Sequence, residues 1–324
     1  MDKILLFVKL LSFNVIVLDI LLCFIYDNRQ QMLASCPVGT FRIGSMHSCH
    51  QMLDCSDYKD MTPVMFLSRG LVKNIHLVKW NDNYLVVSNV SDKQYLSDFH
   101  HNLQMLKQLS QNALIVQLIG WCNNDMLFTE YHPNGDANNL PHIIVKNSIH
   151  HNMTSITLNL CVNYVKILDY LHNSPIGTRV MCDSNTLQKT LSQYLLTDEL
   201  TLVLNDLDAL PQVISRHKGV KCGPRQLFGT FVAPEQLWNR SDQLFSNDKM
   251  REYDHRTDIW KIPDVCQWFL KTSTHLDYQS KLLWVLSHLK DIHSQCKSID
   301  PNLRPTANDV LNHKNDSKMH QKLN

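Results

Sequence analysis

Short apolar runs separated by turn signals dominate the first half of the chain, a pattern typical of a meander of β-strands. The predicted strands are Val64–Leu67, Val72–Val78, Tyr84–Val87, Ala113–Leu118 and Met126–Tyr131. Residues 92–109 instead carry apolar side chains at helical spacing, which predicts one amphipathic helix within this region. Pro133-Asn134-Gly135 interrupts the pattern and indicates a boundary between two lobes.

The second half of the chain follows the helical period. The predicted helices are Leu158–Leu171, Trp260–Leu270 and Tyr278–Ile292. We therefore expect an α+β protein in which a small sheet-rich lobe is followed by a larger helical lobe. This order of elements identifies no function on its own, because unrelated activities share most folds.

The N-terminus carries an apolar run from Ile4 to Tyr26, which is long enough to cross a bilayer, since a spanning helix needs roughly 20 apolar residues. Lys3 and Lys9 at its start favour a cytoplasmic N-terminus. A cleaved signal peptide is the alternative, although no clear small-x-small cleavage site follows the run. We expect a cytoplasmic tail (1–3), a transmembrane signal anchor (4–26), a luminal stem (27–60) and one domain (61–324), with lobes 61–132 and 133–324.

Composition, cysteine content and glycosylation sequons bear on the binding partners and the cellular compartment of the protein. The formal net charge of +1 is unremarkable, and nothing in the sequence indicates a nucleic-acid-binding protein, which would normally carry a basic patch. The chain has ten cysteines, nine of them beyond the apolar run. Four N-x-S/T sequons, each weak alone, also agree with a luminal domain. They begin at Asn89, Asn152, Asn239 and Asn315.

The cysteines divide into two groups by position. Cys36, Cys49 and Cys55 cluster in the predicted stem, where a disulfide clamp is plausible and a zinc site is less so, because no CxxC pair occurs. Cys122, Cys161 and Cys182 lie in the body of the chain. For at least two of these three we expect simple burial as small hydrophobic residues.

A series of short motifs follows the lobe boundary. Its members are Met181-Cys182-Asp183, Asn205-Asp206-Leu207-Asp208, Ala233-Pro234-Glu235, Asp258-Ile259-Trp260 and Asp300-Pro301-Asn302-Leu303-Arg304-Pro305-Thr306. In this order and spacing they resemble the protein-kinase signature set, although each motif alone is weak. The resemblance implies a bilobal kinase fold that binds ATP and Mg²⁺ or Mn²⁺. Glu235 and Arg304 are expected to form a structural ion pair, and Asp258 and Trp260 are also expected to be structural.

The resemblance assigns roles that suit phosphoryl transfer, which depends on positioning and electrostatics. Asp183 matches the catalytic base, and Asp206 matches the metal-binding aspartate; a helix cap or an ordinary loop acid is the alternative for each. Gln193 stands where kinases carry a metal-binding asparagine, ten residues after the base instead of five. Asp208 replaces the usual glycine and is either a further metal ligand or a solvated acid.

The nucleotide lysine is the main departure from the kinase pattern. Ser88 occupies the position at which the third strand normally carries this lysine. Lys73 lies at the third glycine of the Gly-rich loop, as in with-no-lysine kinases, and we assign it to catalysis and nucleotide binding; a solvated strand lysine is the alternative. Asn102 falls near the usual helix-C glutamate, and Asp98 is a candidate replacement. By the same resemblance, Gly70 and Glu130 are assigned to nucleotide binding.

Longer stretches resemble the protein O-mannose kinase family specifically. They include Cys36–Gly44, Leu103–Lys107, Thr129–Pro133, Pro175–Asn185 and Lys189–Leu196. The resemblance implies a single-pass type II protein of the endoplasmic reticulum membrane with a luminal catalytic domain. The implied reaction places the γ-phosphate of ATP on the mannose 6-hydroxyl of the GalNAc-β1,3-GlcNAc-β1,4-Man trisaccharide on α-dystroglycan.

Two other functions remain compatible with the residues. A catalytically inactive pseudokinase scaffold would explain the missing lysine, the missing helix-C glutamate and the altered Gly-rich loop, which begins Ser68-Arg69. A protein Ser/Thr kinase follows from the fold analogy alone. Asp183, Asp206 and Lys73 together favour an active enzyme over the scaffold, because a scaffold would have little need for base, metal ligand and relocated lysine at once.

Overall fold

The computed structural model describes residues 29, 36–44, 46–147, 153–215, 218–240, 242–272 and 279–313. These residues fall into two compact units. The sheet unit runs to Pro133 and also includes Val203–Ala209. The helical unit comprises Asn134–Leu202 and the chain from Leu210 onward. The predicted tail (1–3), the anchor (4–26) and the sequons at Asn152 and Asn315 lie outside the described residues.

The sheet unit contains a five-stranded antiparallel sheet with the strand order β3-β4-β5-β7-β6. A two-stranded hairpin and a short helix precede it. The elements are β1 (Thr40–Phe41), β2 (His50–Gln51), α1 (Cys55–Tyr58), β3 (Thr62–Arg69), β4 (Lys73–Trp80), β5 (Asn83–Val90), β6 (Leu118–Cys122) and β7 (Met126–Glu130). In the turn after β4, Asn81 has a φ of +41°, in the left-handed region that asparagine tolerates.

The core of the sheet unit also takes in residues from the predicted stem. Phe41 and Leu53 are fully buried and pack with Leu85, Val87 and Phe128 of the sheet. The backbone of Leu53 bridges to Gly120 on β6, and a Cβ at Gly120 would lie 2.2 Å from the Leu53 carbonyl oxygen. A glycine is therefore required at position 120, and the segment around Leu53 packs as part of the sheet unit.

In the sheet unit, the structure confirms the predicted helix but not one of the predicted strands. The predicted helix 92–109 appears as α2 (Leu96–Leu109), preceded by a 3-10 turn that Asp92 caps. The predicted strand Ala113–Leu118 is wrong, because β6 begins only at Leu118. The residues before it form a buried loop: Leu114 and Val116 bond to the backbone of Leu204, and the Gln117 carbonyl oxygen alone among them accepts from the Glu130 amide on β7, at 3.1 Å.

The helical unit is built around one long buried helix. Its helices are α3 (Leu140–Lys146), α4 (Met153–His172), α5 (Leu187–Leu191), α6 (Arg256–Thr272), α7 (Gln279–Cys296) and α8 (Ala307–His313). Along the chain, two short strands lie between α5 and α6, namely β8 (Tyr194–Leu196) and β9 (Leu202–Leu204). Val203 and Leu204 of β9 belong to the sheet unit. Helix α4 packs against α6 and α8, and α7 packs against α6. The three long helices predicted from the sequence are therefore confirmed.

The disulfides correct one prediction about the cysteines. Cys36–Cys49 closes a loop within the predicted stem, whereas Cys55 pairs with Cys122 on β6. The other two disulfides, Cys161–Cys266 and Cys182–Cys222, lie in the helical unit. The expectation that at least two of Cys122, Cys161 and Cys182 are simply buried thiols is therefore wrong. Each of them finds a partner distant in sequence, which local spacing cannot reveal.

The fold class is mixed α+β, with a sheet-rich unit followed by a helical one, as predicted, and it is consistent with a kinase-like fold. Over the residues that the structure describes, no helix has the length and apolar character needed to cross a bilayer.

Candidate active site

The turn between β3 and β4 is the counterpart of the Gly-rich loop. The Gly70 amide donates to the Lys73 carbonyl oxygen at 2.8 Å, which closes a tight turn. A Cβ added at Gly70 would lie 3.5 Å from that oxygen, an ordinary contact. The turn itself therefore does not require glycine. Ser68, Arg69 and Gly70 are all exposed, so this backbone is accessible to a ligand.

Lys73 begins β4 and is buried, with 8% of its surface exposed. Its Nζ donates to Asp206 Oδ1 at 2.6 Å. Ser88, which replaces the usual lysine, is buried on the neighbouring strand and pairs with Ile75 in the β4–β5 register. The structure thus brings the relocated lysine to the predicted metal-binding carboxylate. The alternative of a solvated strand lysine is wrong.

Asn102 holds the segment that carries Asp206. This residue on α2 is buried, and its side-chain oxygen accepts from the backbone amide of Leu207 at 3.0 Å. Asp206 and Asp208 are both partly buried on either side of Leu207. Asp98, the candidate replacement for the helix-C glutamate, is exposed in the first turn of α2. The role of Asn102 as an anchor was not anticipated from the sequence.

Asp183 lies in the helical unit, in the loop that follows α4. Its carboxylate forms a salt bridge with Lys189 Nζ at 2.6 Å, and both side chains are partly exposed. Lys189 belongs to α5, which Thr186 caps through its side chain. Sequence reasoning missed Lys189. A lysine six residues after a candidate base, on a short capped helix, is the signal that could have found it.

Gln193 is placed by the same short helix. The residue is 1% exposed, and its side-chain nitrogen donates to the Lys189 carbonyl oxygen at 3.1 Å. This bond uses the amide nitrogen and leaves the amide oxygen as the atom that can accept or bind a cation. The helical unit therefore holds Asp183, Lys189 and Gln193 together within one segment.

The loop that carries Asp183 is fixed at several points. Buried Asp258 on α6 accepts from the Met181 amide at 3.1 Å, and its carboxylate lies 3.2 Å from His172 Nε2. The Cys182–Cys222 disulfide ties the residue directly before Asp183 to a segment 40 residues further along. The structural role expected of Asp258 is confirmed.

The ion pair expected between Glu235 and Arg304 is also confirmed. Arg304 Nη1 and Nη2 donate to the two carboxylate oxygens of Glu235 at 2.5 and 2.8 Å. The bidentate geometry is the strong form of this interaction. This pair belongs to the framework of the helical unit.

Glu130, assigned to nucleotide binding, has its carboxylate engaged by protein groups. Arg29 donates to both carboxylate oxygens, and the Gln117 amide donates to Oε1 at 2.8 Å. Arg29 Nε also donates to the Ala113 carbonyl oxygen at 3.0 Å. Burial would raise the pKa of Glu130, but Arg29 and His132 outweigh it and hold that pKa well below its usual range. Sequence reasoning missed the contact with Arg29.

Comparison with known proteins identifies the family. No protein-family model matches the chain. The chain is 44% identical to the human protein O-mannose kinase over 282 residues, which cover 85% of this chain and 78% of the human protein. The Gallus gallus and Xenopus laevis proteins of the same name are 43% and 41% identical, over the same shares of each chain. This chain belongs to the protein O-mannose kinase family.

Proposed function

We propose that this chain transfers the γ-phosphate of ATP to the 6-hydroxyl of O-linked mannose. The acceptor in this proposal is the GalNAc-β1,3-GlcNAc-β1,4-Man trisaccharide on α-dystroglycan. The kinase activity is supported by the relatives, which are named protein O-mannose kinase. The choice of acceptor is supported by the stretches that resemble this family.

The observation that carries the proposal is the Lys73–Asp206 pair. The lysine that kinases need to neutralise phosphate charge is missing from its usual strand, and the buried ammonium of Lys73 lies 2.6 Å from Asp206 Oδ1. A cation and a candidate metal ligand are thus held together in one unit. This arrangement supplies the charges that phosphoryl transfer requires.

The remaining roles follow from the chemistry of each side chain. Asp183 accepts the proton of the attacking mannose hydroxyl and orients that hydroxyl toward the γ-phosphate. Lys189, which pairs with Asp183, offers positive charge next to the base. The exposed turn at Gly70 lets backbone amides approach the triphosphate, because no side chain projects there.

A divalent cation, Mg²⁺ or Mn²⁺, would be held by Asp206 and Asp208 of the sheet unit; the kinase resemblance separately assigns the amide of Gln193 as a metal ligand. These residues fit such an ion chemically, because hard cations of this kind prefer carboxylate and amide oxygens. When bound, the ion neutralises phosphate charge. The chain's own part is to hold Asp206 by Lys73 and by the Asn102 contact to the following amide.

We also propose that the protein is a single-pass type II protein of the endoplasmic reticulum membrane with a luminal catalytic domain. The four disulfides support an oxidising compartment, since such bonds seldom persist in the cytosol. The apolar run 4–26 supports the anchor. Protease protection of intact microsomes, probed with an antibody to the kinase domain, would test this orientation.

The alternative function is a pseudokinase scaffold that binds a glycoprotein without turnover. The absence of the usual lysine and the neutral Asn102 favour it when taken alone. A scaffold predicts that substitutions at Lys73 and Asp183 leave glycoprotein binding intact and that no phosphate is transferred.

The deciding experiment measures transfer of labelled phosphate from ATP with Mg²⁺ or Mn²⁺ to the trisaccharide, to free mannose and to a generic protein. Lys73→Met removes the charge, and Lys79→Met on the same strand is the matched control, because Lys79 is exposed. Asp183→Asn removes the base, which typically costs on the order of 100-fold or more in rate. Transfer to the trisaccharide that is lost in Lys73→Met and Asp183→Asn but kept in Lys79→Met supports the proposal. No transfer from folded protein refutes it in favour of the scaffold.

A further inference from the structure

Helix α6 carries a lysine in a place where lysines rarely occur. Lys261 is only 1% exposed, although lysine is almost never fully buried unless it is paired. Burial lowers the pKa of Lys261, and Asp258 opposes this shift. Taking an ammonium group out of water is costly unless good hydrogen bonds replace the water. The contacts of this side chain therefore indicate what it does.

Among the residues that the structure describes, the hydrogen bonds and the ion pair of the Lys261 ammonium are with the loop around Asp183 and with Asp258, which anchors that loop. Its Nζ donates to Ser184 Oγ at 2.5 Å and lies 3.5 Å from the Met181 carbonyl oxygen. It also lies 3.6 Å from Asp258 Oδ1, one turn earlier on α6. Ser184 Oγ in turn donates to the Met181 carbonyl oxygen. Lys261 thus contacts the residues on both sides of Cys182-Asp183.

Asp258 and Lys261 bind different backbone and side-chain groups of this loop. Asp258 accepts from the amide of Met181, whereas Lys261 donates toward the carbonyl of the same residue and to the hydroxyl of Ser184. One acceptor and one donor on the same buried face of α6 therefore hold both polar groups of the Met181 backbone. The salt bridge between Asp183 and Lys189 uses none of these atoms, so the loop is fixed independently of it.

We propose that Lys261 is a positioning residue that fixes the loop carrying Asp183 through Ser184 and Met181. The proposal rests on the proposed function only for the role of Asp183; the tether itself is a property of the loop. A displacement of 1 Å at a catalytic group can cost on the order of 100-fold in rate. The buried charge is thus used to hold the base in place.

The test compares Lys261→Met, Lys261→Arg, Ser184→Ala and the control Lys271→Met. Lys271 lies on the same helix but is exposed, and its Nζ donates to Gln267 Oε1 at 3.1 Å, one turn earlier on that helix. We expect Lys261→Met to lower kcat for trisaccharide phosphorylation on the order of 100-fold, with the KM for ATP near the wild-type value. Ser184→Ala should also lower kcat, but by a smaller factor than Lys261→Met. Lys261→Arg should have a kcat between those of Lys261→Met and the wild type, and Lys271→Met should have the wild-type kcat.

Hydrogen exchange at the Met181 and Ser184 amides, measured on the same samples, reports on the tether without using activity. Faster exchange at these amides in Lys261→Met, but not in Lys271→Met, supports the proposal. Unchanged exchange and wild-type kcat in folded Lys261→Met overturn it. If Lys261→Met does not fold, Ser184→Ala decides by the same two measurements. If the wild type transfers no phosphate, the proposed function fails, and the exchange comparison still decides the tether.

Discussion

The disulfide beside the candidate base allows stability and activity to be separated experimentally. Cys182 immediately precedes Asp183, and its partner Cys222 is 40 residues away in sequence. The Cys161–Cys266 disulfide lies in the same unit but spans 105 residues. We consider the two double substitutions to alanine, which remove one disulfide each and leave the other in place.

The loop lengths set the expected losses of stability. In the chain-entropy estimate, closing a loop of 40 residues is worth about 4 kcal/mol. Closing a loop of 105 residues is worth about 5 kcal/mol. Loss of Cys161–Cys266 should therefore destabilise the protein at least as much as loss of Cys182–Cys222. Activity should follow the opposite order, because only Cys182 adjoins Asp183.

Both variants can be tested by chemical denaturation and by steady-state transfer to the trisaccharide below the unfolding transition. We expect the Cys182/Cys222 variant to lose on the order of tenfold or more in kcat, since small displacements at a catalytic group are costly. The Cys161/Cys266 variant should keep the kcat of its folded fraction. Equal kcat in the two variants, once the folded fraction is accounted for, would refute the reasoning that this disulfide positions Asp183.

Three further predictions concern single side chains. Arg29→Met should lower the free energy of unfolding by about 3 kcal/mol or more, because it removes the guanidinium that donates to both oxygens of the buried Glu130 carboxylate. Adding Glu130→Gln should recover part of this loss, and strictly additive losses in the double-mutant cycle would contradict the pairing. Asn102→Ala should raise the KM for ATP, since it removes the acceptor of the Leu207 amide beside Asp206; an unchanged KM in kinetic assays would argue against this anchor. Burial and neighbouring positive charge lower the pKa of His255 to about 4 from its ordinary value of 6.5, so the folded state resists protonation more than the unfolded one. The stability that this depressed pKa contributes should be present above pH 6.5 and be lost as the pH falls toward 4. Chemical denaturation of the wild type and of His255→Gln across this pH range measures the effect. The free energy of unfolding should depend less steeply on pH in the variant.

Local patterns predicted most of the elements of both units. Apolar runs with turn residues between them located β3, β4, β5 and β7, and helical spacing located α2, α4, α6 and α7. The failure at Ala113–Leu118 has a physical reason: a buried loop and a buried strand share the same apolar composition. Only the backbone partner, here Leu204, distinguishes the two, and it lies far away in sequence.

The candidate site was likewise predicted in part, because the sequence indicated its residues but not their contacts. Asp183, Asp206 and Lys73 were predicted because motif order and spacing are local properties of the sequence. The partners of these residues were not predicted, because pairs such as Lys73–Asp206 join positions 133 residues apart. Lys261 did leave a signal, since helical spacing places it on the same face as the apolar residues Val265 and Phe269. A buried lysine needs a hydrogen-bonding or charged partner, so the sequence pattern alone could have predicted that Lys261 has one.

The Lys73–Asp206 pair also bears on the choice between enzyme and scaffold. A buried ion pair contributes little net stability compared with well-packed apolar side chains, because desolvation offsets the attraction. The fold of the sheet unit alone would therefore be served as well by apolar residues at these two positions. Asn102, at the usual position of the glutamate, is neutral and binds the Leu207 amide instead, so Asp206 is the carboxylate that balances the lysine. A cation held against a candidate metal ligand suits phosphoryl transfer, where both charges act on the phosphates, and glycan binding alone does not require it.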